Sequence, residues 1–510
     1  MPQIYLLLGL VGLLLAIYAY TKNSRNSHRR LPLPPGPKKL PLIGNLFNVP
    51  TNLGWVTYHK WCKELQTDII HLDVAGTSIV VLDNAEAATE LLEKRSQIYS
   101  SRPRMPMLGE LAGWSSNVGF MPYGETWRRC RRLIHTAHSP EITKQYRPQQ
   151  LKATHELLRR LLDDPDDFMD HFKHMTGETI MLITYGIEVL PKADPYIDMA
   201  ERALESVAIA GVPGAFLVDA LPMLKHVPDW MPFTSFKHKA KEWKKIASMM
   251  ADMPLEATKR NIESGDYVPS FASYCLERSQ SSQDPAFEES IIKNAAWSLY
   301  VGGADTIVAA LGSCVLGLLT NPSALKKAQQ EMESVLGVGR LPGFEDQDSL
   351  PYVMAIVNET LRWRDVAPLG FPHYTTAEDE YNGYHIPKGS IVMANTWAML
   401  HDGAVYPDPF KFNPDRYIKD GKLDLEIKDP KLVAFGFGRR VCPGSNLALS
   451  TLWITLASMM AAFEITKAVD ENGEVIEPTL EYRPDLINIP LPFKCSIKPR
   501  SEEIEKLLRY

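Results

Sequence analysis

The stretch KLVAFGFGRRVCPGSN, residues 431–446, sets one cysteine, Cys442, beside Arg440 and among Gly436, Gly438 and Gly444. A thiolate acts as a nucleophile or metal ligand, and it persists where hydrogen-bond donors or positive charge stand nearby. Glycines let the backbone turn tightly and approach a flat partner, with amides free to point at sulfur. A phosphate-cradling loop is excluded because its Gly-Lys-Ser/Thr ending is absent. An inert buried cysteine leaves the arginines unexplained.

Other segments carry chemistry-bearing residues at informative spacings. ETLR places Glu359 and Arg362 one helical turn apart, close enough to pair. By itself such a pair is ordinarily a surface contact of little worth. GGADT, residues 302–306, puts two glycines in the middle of an apolar helical stretch, where each costs ~1 kcal/mol relative to alanine. Asp305 and Thr306 follow them; the bland reading is a solvated acid and a hydroxyl bonded back to its own helix. WRRCRR, residues 127–132, sets Trp127 and Arg131 at i and i+4, on one helix face.

Phe435, Gly438, Arg440, Cys442 and Gly444 match the pattern FxxGxRxCxG, which resembles the haem-binding signature of the haem-thiolate monooxygenases, the cytochromes P-450. That family holds haem iron through a cysteine thiolate. The resemblance implies haem b with Cys442 as axial ligand, and a fold that is mainly α with a minor β part (α+β), the cytochrome P-450 fold. It further implies that Glu359 and Arg362 form a buried charge network with Arg416 of FNPDRY. Asp305 and Thr306 resemble the acid and alcohol that relay protons to iron-bound oxygen, in a widened turn over the haem. Ile307 stands where the family often has Thr or Ser. Trp127 and Arg131 resemble the WxxxR clamp on a haem propionate, and His373 sits where the family usually has a propionate-binding Arg or His; for His373 a hydrogen-bonded loop histidine is an equal alternative. The motifs run from about residue 31 to 444.

The elements that must position these groups are legible in outline. Residues 69–83 read as a β-hairpin about a Gly-Thr turn, and residues 84–95 as a helix capped by Asn84. From about 150 to 320 the pattern is helical. Its longest run, 287–322, would be about 50 Å long as one helix. Residues 351–364 form another helix, and short strands follow near 385–395. No internal repeat or interdomain linker is apparent, so residues 47–510 read as one catalytic domain.

The amino-terminus differs in kind. Residues 4–20 carry no charge, and Lys22, Arg25, Arg29, Arg30, Lys38 and Lys39 precede the first acid, Glu64. Seventeen apolar residues are the lower limit for a bilayer span, and the cationic flank favours a cytosolic body. A cleaved secretory signal is disfavoured by the missing basic n-region and the poor cleavage pattern. The expectation is a single anchor over residues 1–21, a basic and proline-rich hinge over 22–46, and an endoplasmic reticulum location. The six cysteines lie scattered without CxxC pairs, against a disulfide framework or zinc ribbon. A net charge of −6 argues against nucleic acid as a partner.

As implied by the resemblance, O2 and NADPH-derived electrons are cosubstrates and NADPH-cytochrome P-450 reductase is the partner, with cytochrome b5 as an optional second donor. Arg128, Arg129, Arg132 and Arg439 form a candidate basic patch for it. The substrate-contacting regions, 106–120, 205–224, 365–371 and 488–493, are mostly apolar and favour a lipophilic or aromatic small molecule. The overall texture resembles microsomal fungal members of the family, which implies a place in secondary metabolism or in xenobiotic oxidation. Two other readings are a haem-thiolate isomerase or dehydratase acting on peroxides, and a non-catalytic membrane haem-binding protein; the acid–alcohol pair counts against the first, and the joint presence of relay, clamp and thiolate motifs against the second.

Overall fold

The computed structural model describes residues 31–211, 215–231, 234–280, 282–337, 339–483 and 485–509. The expected membrane anchor lies outside the described residues. Strands and helices named here are numbered in chain order.

Strands β1 (Ile69–Val74) and β2 (Thr77–Leu82) form the expected hairpin, paired from Ile69↔Leu82 to Val74↔Thr77. Its turn falls on Ala75 and Gly76, both at positive φ (49° and 91°), one residue earlier than the Gly-Thr corner. Two consecutive residues of positive φ match the right-handed twist of the strands. Asn84 caps the next helix, its Oδ1 accepting from the Ala87 amide at 2.7 Å; the helix then widens into a π turn over Thr89–Lys94. The proline-rich segment lies along β1, where Pro35 and Asp73 carbonyls accept from the amides of His71 and Asn45.

The helical body contains α1 (Glu125–Ala137), α2 (Arg147–Asp163), α3 (Phe168–Tyr185), α4 (Pro195–Ala210), α5 (Pro285–Ala304), α6 (Thr306–Thr320) and α7 (Pro351–Trp363). Strands β3 (His373–Tyr374) and β4 (Ile391–Ala394) complete a sheet in the order β1-β2-β4-β3, with β2 and β4 parallel. Helix α8 (Ser445–Ala462) follows the cysteine loop.

Helix α6 is buried on every side from Ile307 to Leu319, as an all-round apolar helix must be. It packs with α2, α3, α7 and α8 in one core that includes Leu157, Phe172, Leu311, Ile356 and Leu452. Each such buried side chain contributes roughly 1.5–3 kcal/mol. Gly317 of α6 seats the Phe412 ring, which a Cβ there would meet at 2.6 Å.

The run 287–322 is two helices and not one. The chain leaves helical hydrogen bonding at Asp305. Gly302 and Gly303 weaken the helix, and two hydroxyls replace amides as donors: Thr306 Oγ1 donates to the Gly302 carbonyl at 2.8 Å, and Thr176 Oγ1 of α3 donates to the Ala304 carbonyl at 3.0 Å. Such side-chain insertion is an ordinary cause of a break in a helical ladder.

Candidate active site

Cys442 sits in a loop that the backbone itself holds. Its amide donates to the Phe435 carbonyl at 2.8 Å, and Gly436 and Gly438 turn the chain at φ of 78° and 56°. Gly438 is pressed against the π turn: a Cβ there would stand 2.3 Å from the Leu92 carbonyl oxygen. Burial pushes the Cys442 thiol up, while the Gly444 amide and Arg131 pull it down. The first turn of α8 begins at Ser445, so the positive end of that helix lies beside the sulfur.

Cys442 lines a cavity of about 1080 Å³. Arg102, Trp127, Arg131, His373 and Arg440 line it too, with Asp305 and Thr306. Among the described residues, no carboxylate pairs with Arg102, Arg131 or Arg440. Arg440 donates to the carbonyls of Ser100 (2.7 Å), Val118 (3.1 Å) and Met121 (2.8 Å), and its guanidinium lies over the Trp127 ring. Arg131 donates to the Val441 carbonyl at 2.6 Å. Burial pulls Arg440 down to about 8, with Arg102 and Arg131 adding repulsion. His373 is held neutral, its ring nitrogen near about 3, by burial and by Arg102; its Nδ1 bonds the Tyr99 carbonyl at 2.9 Å. Trp127 Nε1 is buried without an acceptor. One buried and two half-buried guanidiniums and a buried ring N–H without an acceptor among the described residues together call for an anionic ligand with several oxygens. The carboxylates of a haem are such a ligand, and a thiol in the same cavity is a suitable iron ligand, so the residues present fit haem.

Arg102 is the group that the sequence reading misses. It donates to the carbonyls of Gly119 (2.9 Å), Phe371 (2.7 Å) and Pro372 (2.8 Å), and burial pulls it down to about 9. Nothing in SSRPR, residues 100–104, separates Arg102 from Arg104, which pairs on the surface with Glu110. Only the tertiary fold turns one of them inward.

Asp305 and Thr306 stand at the break between α5 and α6. Burial pushes the Asp305 carboxyl up to about 6, opposed by Lys173, reinforced by Glu201 and opposed by Arg483. Ile307 is buried in the core, so its position offers no further hydroxyl there.

Glu359, Arg362 and Arg416 come together behind the loop. Arg362 grips Glu359 with two bonds, at 2.7 and 2.8 Å, and Arg416 lies 3.2 Å from the same carboxylate. Both Glu359 and Arg362 are wholly buried. The Asn413 amide also donates to Glu359, and Arg362 reaches the carbonyls of Leu400, Pro409 and Lys411. The network therefore ties α7 to the irregular chain at 400–413.

The basic patch is smaller than its sequence suggests. Arg129 is drawn back onto Glu288 of α5, and Arg128 pairs with Glu125 at 2.9 Å. Arg132 and Arg439 remain exposed, Arg439 donating to the Tyr123 hydroxyl at 2.8 Å.

The family model described as Cytochrome P450 matches residues 34–496. A protein named cytochrome P450 monooxygenase 98, from Postia placenta, is 50% identical over 95% of this chain and 94% of its own length. Cytochrome P450 monooxygenase ple1, from Rhodocybe pseudopiperita, is 46% identical over 94% of this chain and 91% of its own. A tryptamine 4-monooxygenase from Psilocybe cyanescens is 41% identical over 98% of both chains.

Proposed function

This chain belongs to the cytochrome P450 family, and we propose that it oxidises a lipophilic or aromatic small molecule of fungal secondary metabolism at the surface of the endoplasmic reticulum. It is a haem-dependent monooxygenase. The observation that carries the reading is the set of uncompensated cations Arg102, Arg131 and Arg440 in one cavity with Cys442.

Bound haem supplies the activation of O2, with one oxygen atom entering the substrate and the other leaving as water, and thiolate ligation favours O–O cleavage. Cys442 would hold the haem iron, its sulfur placed by the glycine loop and its negative charge favoured by the Gly444 amide. Arg102, Arg131, Arg440 and Trp127 Nε1 would hold the carboxylates, joined by His373 Nε2 once that ring takes up a proton beside them. Phe435 and Gly438 shape the loop; Glu359, Arg362 and Arg416 brace it. Thr306 lines the cavity with its hydroxyl proton held on the Gly302 carbonyl; turned inward, that hydroxyl would hand on a proton, and Asp305, its carboxyl pushed up to about 6, would resupply it. Lys173 and Glu201, paired at 3.3 Å, act on the Asp305 carboxyl in opposite senses.

The rest of the lining favours an apolar guest: Val118, Phe120, Leu299, Val366, Phe371 and Ile489. A redox partner goes with the family. NADPH-cytochrome P-450 reductase would dock where Arg128, Arg132 and Arg439 surround the exposed Leu432 and Val441. Attachment to the bilayer is supported by the apolar residues 4–20 and by Met223 and Trp230, which are 74% and 82% exposed.

The test is microsomal turnover with reductase, NADPH and isotopically labelled O2 over terpenoids, polyketides, steroids, polycyclic aromatics and indoles. One labelled oxygen in a product is the expected result. Rearrangement of a peroxide without O2 or reductase would overturn it.

A further inference from the structure

Asp365 lies two residues beyond α7, in the cavity wall next to Val366 and Ala367, and is 1% exposed. No cation pairs with it among the described residues. The neighbouring Arg364 turns its guanidinium over the Trp363 and Tyr482 rings, at 4.7 and 5.0 Å. From the strand side, Asn395 bonds Asp83, which is paired with His59. From residues 485–493, Asn488 donates to the Asp365 main-chain carbonyl at 3.1 Å. Burial pushes the Asp365 carboxyl up to about 6 against bonds from Thr396 and the Ala367 and Val366 amides.

The protons around Thr396 decide its state. Thr396 Oγ1 is within hydrogen-bond distance of two acceptors, Asp365 Oδ2 and the Ala367 carbonyl at 2.8 Å. A threonine hydroxyl has one proton. If Asp365 were a carboxylate, one of these contacts would lack a proton, in a site with no water-exposed alternative. An unpaired buried acceptor is costly. A carboxylic acid removes the conflict.

We infer that Asp365 is a positioning residue held as a neutral acid: its Oδ2–H donates to Thr396 Oγ1, whose proton goes to the Ala367 carbonyl. This two-bond chain fixes the backbone that presents Val366 and Ala367 to the cavity, and its consequence for substrate rests on the reading of that cavity given above. Asn488 completes the clasp, its amide donating to the Val366 carbonyl at 2.8 Å.

Infrared difference spectra of the haem-loaded enzyme, wild type against Asp365→Asn at neutral pH, test the protonation. A protonated-carboxyl C=O band that moves in D2O and vanishes in Asp365→Asn is expected, and Thr396→Val should shift it. Only carboxylate bands at this position, or a band unmoved by Thr396→Val, would overturn the inference. If Asp365→Asn does not fold, the Thr396→Val against wild-type difference gives the same decision. Phenylimidazole, a probe of the cavity read by its haem spectrum, should bind Thr396→Val about threefold to tenfold more weakly, as the loss of one buried hydrogen bond predicts. Asp365→Asn, which keeps a donor, should stay within about twofold of wild type; equal binding by all three would refute the positioning role. Failure of phenylimidazole to bind the wild type, with the infrared band intact, would instead overturn the reading of the cavity.

Discussion

The Arg440 guanidinium lies 4.3 Å from the centre of the Trp127 ring and spends all its hydrogen bonds on main-chain carbonyls. A half-buried cation so arranged keeps its charge for a ligand. Arg440→Leu and Arg102→Leu should each weaken haem retention by about tenfold to a hundredfold, given ~1.5–3 kcal/mol per charged hydrogen bond. Haem content after purification and the rate of haem loss to a scavenger would check this. Unchanged retention would remove both residues from the carboxylate site.

Asp305 links pH to two measurements. Burial pushes its pKa up to about 6 in the fold, from an ordinary 3.8. Above pH 6 it is charged in both folded and unfolded states, and the fold bears the cost of burying that charge. As pH falls from 6 toward 3.8 the folded form binds its proton first, and stability is gained. Asp305→Asn should therefore raise stability by about 1–3 kcal/mol at pH 8 and leave it unchanged near pH 4. The same variant should slow turnover and abolish any rise in rate as pH drops through 6. Thr306→Val should lower product formed per NADPH by about tenfold or more while NADPH consumption continues. Full coupling in Thr306→Val would end the relay assignment.

Gly438→Ala should yield protein without haem. The added methyl meets the Leu92 carbonyl oxygen and the Glu93 Cα, both main chain, so the loop must move rather than the neighbour. The check is the carbon monoxide difference spectrum, compared with Arg439→Ala as an exposed control in the same loop.

Removal of the Glu359 charge leaves Arg362 and Arg416 buried without a counter-ion. Glu359→Gln should destabilise the protein by about 3–5 kcal/mol, read as a drop in denaturation midpoint and in folded yield. Wild-type stability in that variant would show the network to be dispensable.

Charge reversal at Arg128 and Arg132 should slow electron transfer from the reductase and flatten its dependence on salt. Arg129→Glu should act differently, by breaking the contact with Glu288 that joins α1 to α5. Normal rates and an unchanged salt slope in the double reversal would move the docking surface elsewhere.

How much of this the sequence carries depends on how local each cause is. The hairpin at 69–82, the Asn84 cap and the helix after Pro351 follow from turn residues, a capping side chain and apolar periodicity, all decided within a few positions. The Cys442 loop is legible because its glycines and cysteine are adjacent in the chain. The break at Asp305 is only half local: Thr306 and the glycines are near it, but Thr176, which takes the Ala304 carbonyl, comes from α3. Arg102 and Asp365 are illegible for the same reason. Their partners are carbonyls and a hydroxyl supplied by segments far along the chain, and an isolated Arg or Asp ordinarily reads as surface. Arg129 was misleading in the opposite sense, since its acid lies 159 residues away.

The sulfur of Cys442 is located by main-chain geometry: one amide bond to Phe435, two left-handed glycines and a backbone contact with Leu92. Between these fixed points, Arg439 and Val441 face solvent. The same loop thus has a sterically fixed inner side and a solvent-facing outer one. Substitution on the outer side therefore leaves the position of the sulfur untouched, so the surface that a redox partner would meet can change independently of the chemistry inside.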